Sequence, residues 1–384
     1  MSINCPICFF DKNEKITLLS NNMKVMGDTF PSAPASIVSC KRCGAVYIDT
    51  KAQQSHYSNY YNSGYSKTIS YIEVFGEKTT KEYFNNIYNS FCEYITKDSK
   101  ILDVGAGRGE FSKYLKDLGY KNIIAMEPSL DNYEHIIDNG IECMYSDIFN
   151  MKVSEKFDLI ILSHTLEHIL DFKIALKKLK LFLKEDGIIY IEVPDSEKYT
   201  KVNFPSYFFF TFEHIIHFTQ KDFKNLANSY GFELLKNNEY LKCNSYFVMN
   251  GIFKNNGKLS GTIYNNDTKT AIKDYLEYSK KKLLPVIKGL EESKEKLILW
   301  GIGASTAQLL NETFNNCNVI QLIDNNSSRQ GIEFIISNKK FIIESPDDVC
   351  DVEATIIILP IMYKKSIIEQ IKSLGFKNKI MTLE

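Results

Sequence analysis

KILDVGAGRGEFSKYLKDLG, residues 100–119, decides how the chain is read. ILDV is a short apolar run of strand length, GAGRG is a glycine turn, and EFSKYLKDL has helical spacing that stops at Gly119. The strand–turn–helix theme continues outward. KNIIAMEPS (121–129) is a second strand ending in Glu127, and ECMYSD leads to Asp147. FDLIILSHTLEH (157–168) and GIIYIEVP (187–194) supply two more buried strands, with helical stretches between and another over 80–97. GFELLKNNEYLKCNSYFVMNGIF (231–253) reads as an antiparallel hairpin. Strands alternating with helices predict an α/β protein with an open parallel sheet, whose ligands bind outside the carboxyl ends of the strands.

The glycines Gly105, Gly107 and Gly109 are spaced GxGxG, and missing Cβ atoms let a ligand approach the backbone. Glu127 ends the next strand, where a carboxylate meets ribose hydroxyls. With Asp103 before the turn and Asp147 after the third strand, the set resembles the S-adenosylmethionine site of class I methyltransferases over about 80–255. LSHTLEHI is also similar to that family. The resemblance implies that Asp103 orders the turn and that Gly105 and Gly107 face the methionine moiety, with Gly109 completing the motif. Glu127, followed by Pro128, holds the ribose. Asp147 and Ile148 flank the adenine, and Ser163 and His164 line the cofactor edge. Glu167 and His168 start a helix, either capping and bracing it or facing the site.

Four of nine cysteines form two CxxC pairs, Cys5/Cys8 and Cys40/Cys43. Four thiolates close a tetrahedral structural zinc shell with no open position, so the expected ion folds the segment and does no chemistry. Redox use of the pairs is the alternative. HYSNYYNSGYSK (56–67) follows, either an exposed linker or a loop laying phenols over a cleft. At the other end, KLILWGIGAST (296–306), VIQLIDNN (319–326) and ATIIILP (354–360) repeat the strand–glycine theme. Gly301 and Gly303 match a dinucleotide turn, but Thr306 stands where a third glycine belongs, which argues against a redox cofactor. The expected architecture is a central class I methyltransferase (Rossmann-like) sheet at 76–255. An N-terminal four-cysteine zinc-binding domain with a tyrosine-rich substrate loop occupies 1–75, and a smaller Rossmann-like α/β domain 256–384.

That order resembles the nucleotide-sugar C-methyltransferases of deoxysugar biosynthesis, over essentially the whole chain. The resemblance implies a nucleotide-linked 4-keto-6-deoxyhexose as substrate, methylated on the carbon beside the ketone. It also implies a Glu-His pair after the fifth strand, which Glu213-His214 in TFEHIIHFT (211–219) matches. Methylating carbon needs a base for the C–H and a donor for the enolate oxygen. His214 is the expected base, Glu213 its orienting partner, and Tyr61 and Tyr65 candidates to steady the ketone oxygen. The family's polar aromatics before the pair are replaced by Thr211 and Phe212, and a second histidine, His217, follows. The shorter EH..HFT pattern is shared with surface-polysaccharide methyltransferases whose acceptor is oxygen or nitrogen, so that alternative stays open. So does a hydrogen-bonded corner in which the trio satisfies itself. Chelation by His214 and His217 lacks a nearby third ligand.

Composition narrows the rest. Lys+Arg (46) balance Asp+Glu (47), and residues 1–50 carry five basic side chains against four acidic ones. That is no phosphate footprint, which argues against a zinc-finger RNA methyltransferase or any nucleic-acid partner. The complete cofactor set argues against a purely non-catalytic binding module. Neither a signal-like N-terminus nor a run of ~18 apolar residues occurs. The expectation is a cytoplasmic enzyme without a membrane partner, monomeric or homodimeric, acting on a small molecule.

Overall fold

The computed structural model describes residues 3–19, 22–31, 33–63, 68, 70–152, 155–201, 206–242, 245–349 and 353–383. Three sheets organise them. Strands β1 (Asn13–Leu19), β2 (Ala35–Cys40) and β3 (Val46–Asp49) form an antiparallel N-terminal sheet. The central sheet follows with β4 (Lys100–Val104), β5 (Asn122–Glu127), β6 (Glu142–Tyr145), β7 (Phe157–Ser163) and β8 (Leu183–Pro194). Then β9 (Ile216–His217) leaves the central sheet and pairs with β3, Val46 opposite His217. The hairpin expected near 231–253 is β10 (Phe232–Lys242) and β11 (Tyr246–Asn255).

The central order is β10-β11-β8-β7-β4-β5-β6, parallel except at the hairpin. β4 and β7 are buried almost throughout, as strands covered on both faces must be. The chain order reverses beside β4, which opens a crevice at the carboxyl end of that strand. The C-terminal sheet holds β12 (Leu297–Trp300), β13 (Val319–Ile323), β14 (Glu333–Ile336), β15 (Lys339–Glu344), β16 (Thr355–Ile358) and β17 (Ile380–Thr382). Its order is β14-β15-β13-β12-β16-β17, and only β14 runs antiparallel.

The N-terminal sheet has no core of its own. Side chains alternate across a strand, and here each face joins a different neighbour. Ile37, Val46 and Ile48 merge into one apolar cluster with Tyr57, Phe209, Leu299 and Phe334. Val38, Cys40 and Tyr47 join Phe172, Phe218 and Phe223 beside the central sheet. The Asn22 side chain seals the first contact by pairing with both backbone groups of Ile335, at 2.8 and 3.0 Å. A 27-residue helix, Asp267–Ser293, places Ile272, Tyr275 and Leu283 in the same cluster. The apolar cores therefore cross the expected boundaries at 75 and 256. No helix among the described residues is long and apolar enough to cross a membrane.

Where it is described, the tyrosine-rich stretch is largely helical rather than linker or loop. Gln54–Asn62 is a helix with Tyr57 and Tyr60 buried, and the Gln53 N–H donates to His56 Nδ1 at 2.9 Å at its start. Tyr65, expected near the substrate, lies outside the described residues.

Candidate active site

The turn after β4 forms one wall of a cavity of about 320 Å³. Gly105, Gly107 and Gly109 all have positive φ, between 56° and 71°, which a side chain resists. Gly105 and Gly107 line the cavity; Gly109 does not. A Cβ on Gly109 would lie 2.8 Å from Ile136, so that glycine serves packing between turn and helix, a correction to its expected cofactor contact. Asp103 is buried and accepts from Ser112 Oγ at 2.7 Å, tying the strand end to helix Glu110–Asp117. Burial pushes its carboxyl up to about 6.

Glu127 accepts from the Gly107 N–H at 2.8 Å and the Ser129 N–H at 3.0 Å. Burial pushes this carboxyl up to about 6 as well, against those hydrogen bonds. Pro128, Asp147, Ile148, Ser163 and His164 also line this cavity. Asp147 closes its own turn through the N–H groups of Phe149 and Asn150, and its other oxygen accepts from Ser58 at 2.9 Å. The tyrosine-rich helix thereby reaches the Asp147 side of the cavity.

One carboxylate went unnoticed in the sequence. Glu192, fully buried on β8, accepts from Ser163 Oγ at 2.9 Å, Tyr190 Oη at 2.8 Å, and the hydroxyls of Tyr83 and Tyr240. Burial alone would raise its pKa. His164, 3.4 Å away, and the phenols outweigh that and hold it at about 2. The spacing IYIEVP gave no sign that three tyrosines from separate segments converge on it. Lys242, also unanticipated, is buried among the rings of Tyr71, Tyr83 and Tyr246.

The far end holds the acid–base candidates. Glu167 is buried, its Oε1 lying 3.2 Å from His164 Nδ1 and 3.8 Å from His168 Nε2. His168 and Tyr61 line the cavity, with Tyr61 Oη 3.1 Å from His168 Nδ1. Glu213 lines it too, but its carboxylate accepts from Tyr60 Oη at 2.6 Å and from Thr211 rather than from His214. His214 packs edge-on against His168, ring centres 5.1 Å apart, and lines neither this cavity nor the next. Its expected role as the base oriented by Glu213 is therefore corrected, because adjacent side chains leave this turn in different directions. Burial keeps His214 neutral, well below the usual histidine range. His217 sits in β9 with Nδ1 3.2 Å from Tyr199 Oη, away from both cavities, and burial lowers it to about 3. It is a core histidine.

A second cavity, about 560 Å³, opens between the central and C-terminal sheets. Gly301, Gly303, Asp324 and Arg329 line it, below the N-terminus of helix Ala304–Thr313. Thr306 uses its hydroxyl to accept from the Gly303 N–H at 2.9 Å and donate to the Gly301 carbonyl at 2.8 Å. Thr68, Arg108 and Glu213 line both cavities.

The four cysteines converge. Cys5 and Cys43 sulfurs are 3.6 Å apart, and Cys8 and Cys40 sulfurs 3.5 Å. Zinc–sulfur bonds of about 2.3 Å require tetrahedral edges of about 3.8 Å, so the sulfurs are compatible with one ion.

Residues 75–237 match the family described as "Methyltransferase domain". The chain carries a class I S-adenosylmethionine-dependent methyltransferase domain. Residues 293–381 match a second family, "C2185-like, N-terminal". The chain is 26% identical over 113 residues to (S)-coclaurine N-methyltransferase of Thalictrum flavum subsp. glaucum, covering 27% of this chain and 31% of that protein. It is 28% identical over 102 residues to malonyl-[acyl-carrier protein] O-methyltransferase of Calditerrivibrio nitroreducens, covering 26% and 39%. The alignments thus span less than half the length of either relative. Among solved structures, N-methyltransferase NodS from Bradyrhizobium japonicum aligns at 14% identity and TM-score 0.37, over 47% of this chain and 97% of that one. A Leishmania major S-adenosylmethionine-dependent methyltransferase aligns at 16% and 0.41, over 52% and 82%.

Proposed function

We propose that the whole protein transfers the methyl group of S-adenosylmethionine to a nucleotide-linked sugar, at the carbon beside a ketone. The observation that carries this reading is the wall shared by the two cavities, formed by Thr68, Arg108 and Glu213. An acceptor with its nucleotide in the second cavity would extend its sugar past Glu213 to the methyl donor. The second cavity suits a nucleotide, since helix N-termini and nearby arginines favour phosphate. Asp324, at the end of β13, stands where a carboxylate meets ribose.

In this reading Glu213 takes the proton and Tyr60 holds its carboxylate in place. Tyr61 stands at the donor cavity to steady the ketone oxygen. The C–H electron pair becomes the enolate, which attacks the cofactor methyl as its sulfur leaves with the bonding pair. Asp103, Gly105, Gly107, Glu127, Pro128, Asp147, Ile148, Ser163 and His164 hold the cofactor. Cys5, Cys8, Cys40 and Cys43 hold a structural zinc ion. Residues 1–75 then serve as the zinc-binding and phenol-bearing domain, 76–255 as the cofactor domain and 256–384 as the nucleotide-side domain.

The N- and O-methyltransferase relatives favour a second reading, an oxygen or nitrogen acceptor. Mass spectrometry in heavy water separates the two. With nucleotide-linked 4-keto-6-deoxyhexoses, deuterium entering beside the ketone, then one added methyl, is expected. Methylation of a hydroxyl or amino sugar without exchange would replace carbon as the acceptor.

A further inference from the structure

Among the described residues, the buried polar atoms near the donor cavity without a hydrogen-bond partner include Glu167 Oε2 and His214 Nδ1, besides His164 Nε2 and Arg108 Nε. Leaving such atoms unpaired costs on the order of 1–3 kcal/mol each, so native structures rarely keep them without a reason. The first two belong to neighbours. One ligand atom each from Glu167, His168 and His214 lie within 4.8 Å of one another. We propose that Glu167, His168 and His214 bind a divalent transition-metal ion, a site separate from the four cysteines.

Three features carry the assignment. The donor set is two imidazoles and one carboxylate, which suits zinc, manganese or ferrous iron and leaves coordination positions open. His168 has its Nδ1 engaged by Tyr61 at 3.1 Å, the second interaction that orients metal-bound histidines, leaving Nε2 on the Glu167 side. Glu167 is set from behind by His164 at 3.2 Å, and its backbone carbonyl accepts from the Ile215 N–H at 2.7 Å. That bond clamps the 3-10 turn Leu166–His168 to the segment bearing His214. Bonds of about 2.1 Å require neighbouring ligand atoms about 3.0–3.4 Å apart. Atoms at the 4.8 Å limit must therefore close by about 1.4–1.8 Å, within reach of side-chain rotation.

The location gives the ion a use. His168 and Glu213 both line the donor cavity, so an open coordination position would face the acceptor. A metal there polarises a ketone or hydroxyl oxygen and lowers the cost of removing the neighbouring proton.

The test is metal counting on the full chain, which does not depend on methyl transfer and so fails separately from the proposed function. The protein is equilibrated with Zn²⁺, Mn²⁺ or anaerobic Fe²⁺, desalted and measured by plasma mass spectrometry. About two equivalents are expected with at least one of these ions. Glu167→Gln and His214→Asn should each remove one equivalent, while the cysteine-bound zinc stays. Cobalt substitution distinguishes the sites, because only the cysteine site gives sulfur-to-cobalt charge-transfer absorption. One equivalent with all three ions would overturn the proposal, as would a second equivalent that survives both substitutions.

Discussion

The Gly107 N–H donates to the Glu127 carboxylate at 2.8 Å. The acid that ends β5 therefore also fixes the glycine turn that follows β4. Ser129 takes the other oxygen at 3.0 Å. Glu127→Gln turns one acceptor into a donor facing an N–H, so it disturbs the turn and the proposed ribose contact together. We expect S-adenosylhomocysteine affinity to fall at least about tenfold, as for loss of a charge-assisted hydrogen bond of about 1.5–3 kcal/mol. Calorimetric titration checks this, and unchanged affinity would remove Glu127 from the site.

Acid should weaken cofactor binding in the same region. Burial holds Asp103 and Glu127 near 6, above the usual carboxylate range. A group that gains protons on folding adds stability at low pH and loses it as pH rises through its folded pKa. The cofactor-free protein therefore loses their contribution between about pH 4 and 6. The proposed ribose contact works the other way, because it needs the carboxylate. Affinity should rise from pH 5 to 7 and level off above, while the cofactor-free melting temperature carries the opposite contribution. A flat affinity profile would contradict the ionised role of Glu127.

A Cβ on Gly44 would land 1.6 Å from the backbone oxygen of Asn265. Gly44 has φ +82°, and the carbonyl of its neighbour Cys43 accepts from the Asn265 N–H at 2.9 Å. The segment leaving the methyltransferase region is thus sewn onto the cysteine knuckle. Gly44→Ala costs about 1–2 kcal/mol for the backbone alone, before any clash. We expect a clear fall in melting temperature with weakened zinc retention, and a wild-type melt would show that the contact yields freely.

Cys8→Ser should loosen more than the N-terminus. Both faces of the N-terminal sheet are packed, one against the C-terminal sheet and one beside the central sheet. Metal loss should therefore expose cleavage sites in 296–384 to limited proteolysis as well as in 1–50. Cleavage confined to the first 50 residues would mean the cysteine knuckle folds independently.

The central strands were legible because their chemistry is local: ILDV, FDLIILS and GIIYIEVP are buried runs, and the glycine turn announces itself. What stayed hidden depends on distant residues meeting. Ile216 and His217 look like part of a catalytic motif, yet they complete another sheet through β3. Tyr57 and Tyr60 sit in a polar, turn-like stretch, but burial against Phe30 and Glu213 favours a helix. Glu192 became notable only when hydroxyls from several segments closed around it.

Glu213 is the proposed base. It faces both cavities and has Tyr60 bonded to it at 2.6 Å. If it takes the proton, Glu213→Gln keeps the shape and the hydrogen-bonding capacity but removes the base. Losing a general base costs about 10²–10⁴-fold in rate, so kcat should fall by that range while S-adenosylhomocysteine affinity stays within about twofold. Tyr60→Phe leaves the carboxylate in place but unheld, and a positioning role predicts a smaller loss with a shifted pH–rate profile. Solvent deuterium exchange into a keto-sugar, followed without S-adenosylmethionine, isolates the proton step. Exchange abolished in Glu213→Gln but only slowed in His214→Asn, as loss of a polarising ion would slow it, would fix the base as Glu213. The reverse pattern would return the role to His214 and require it to swing from its packed position beside His168 into the cavity.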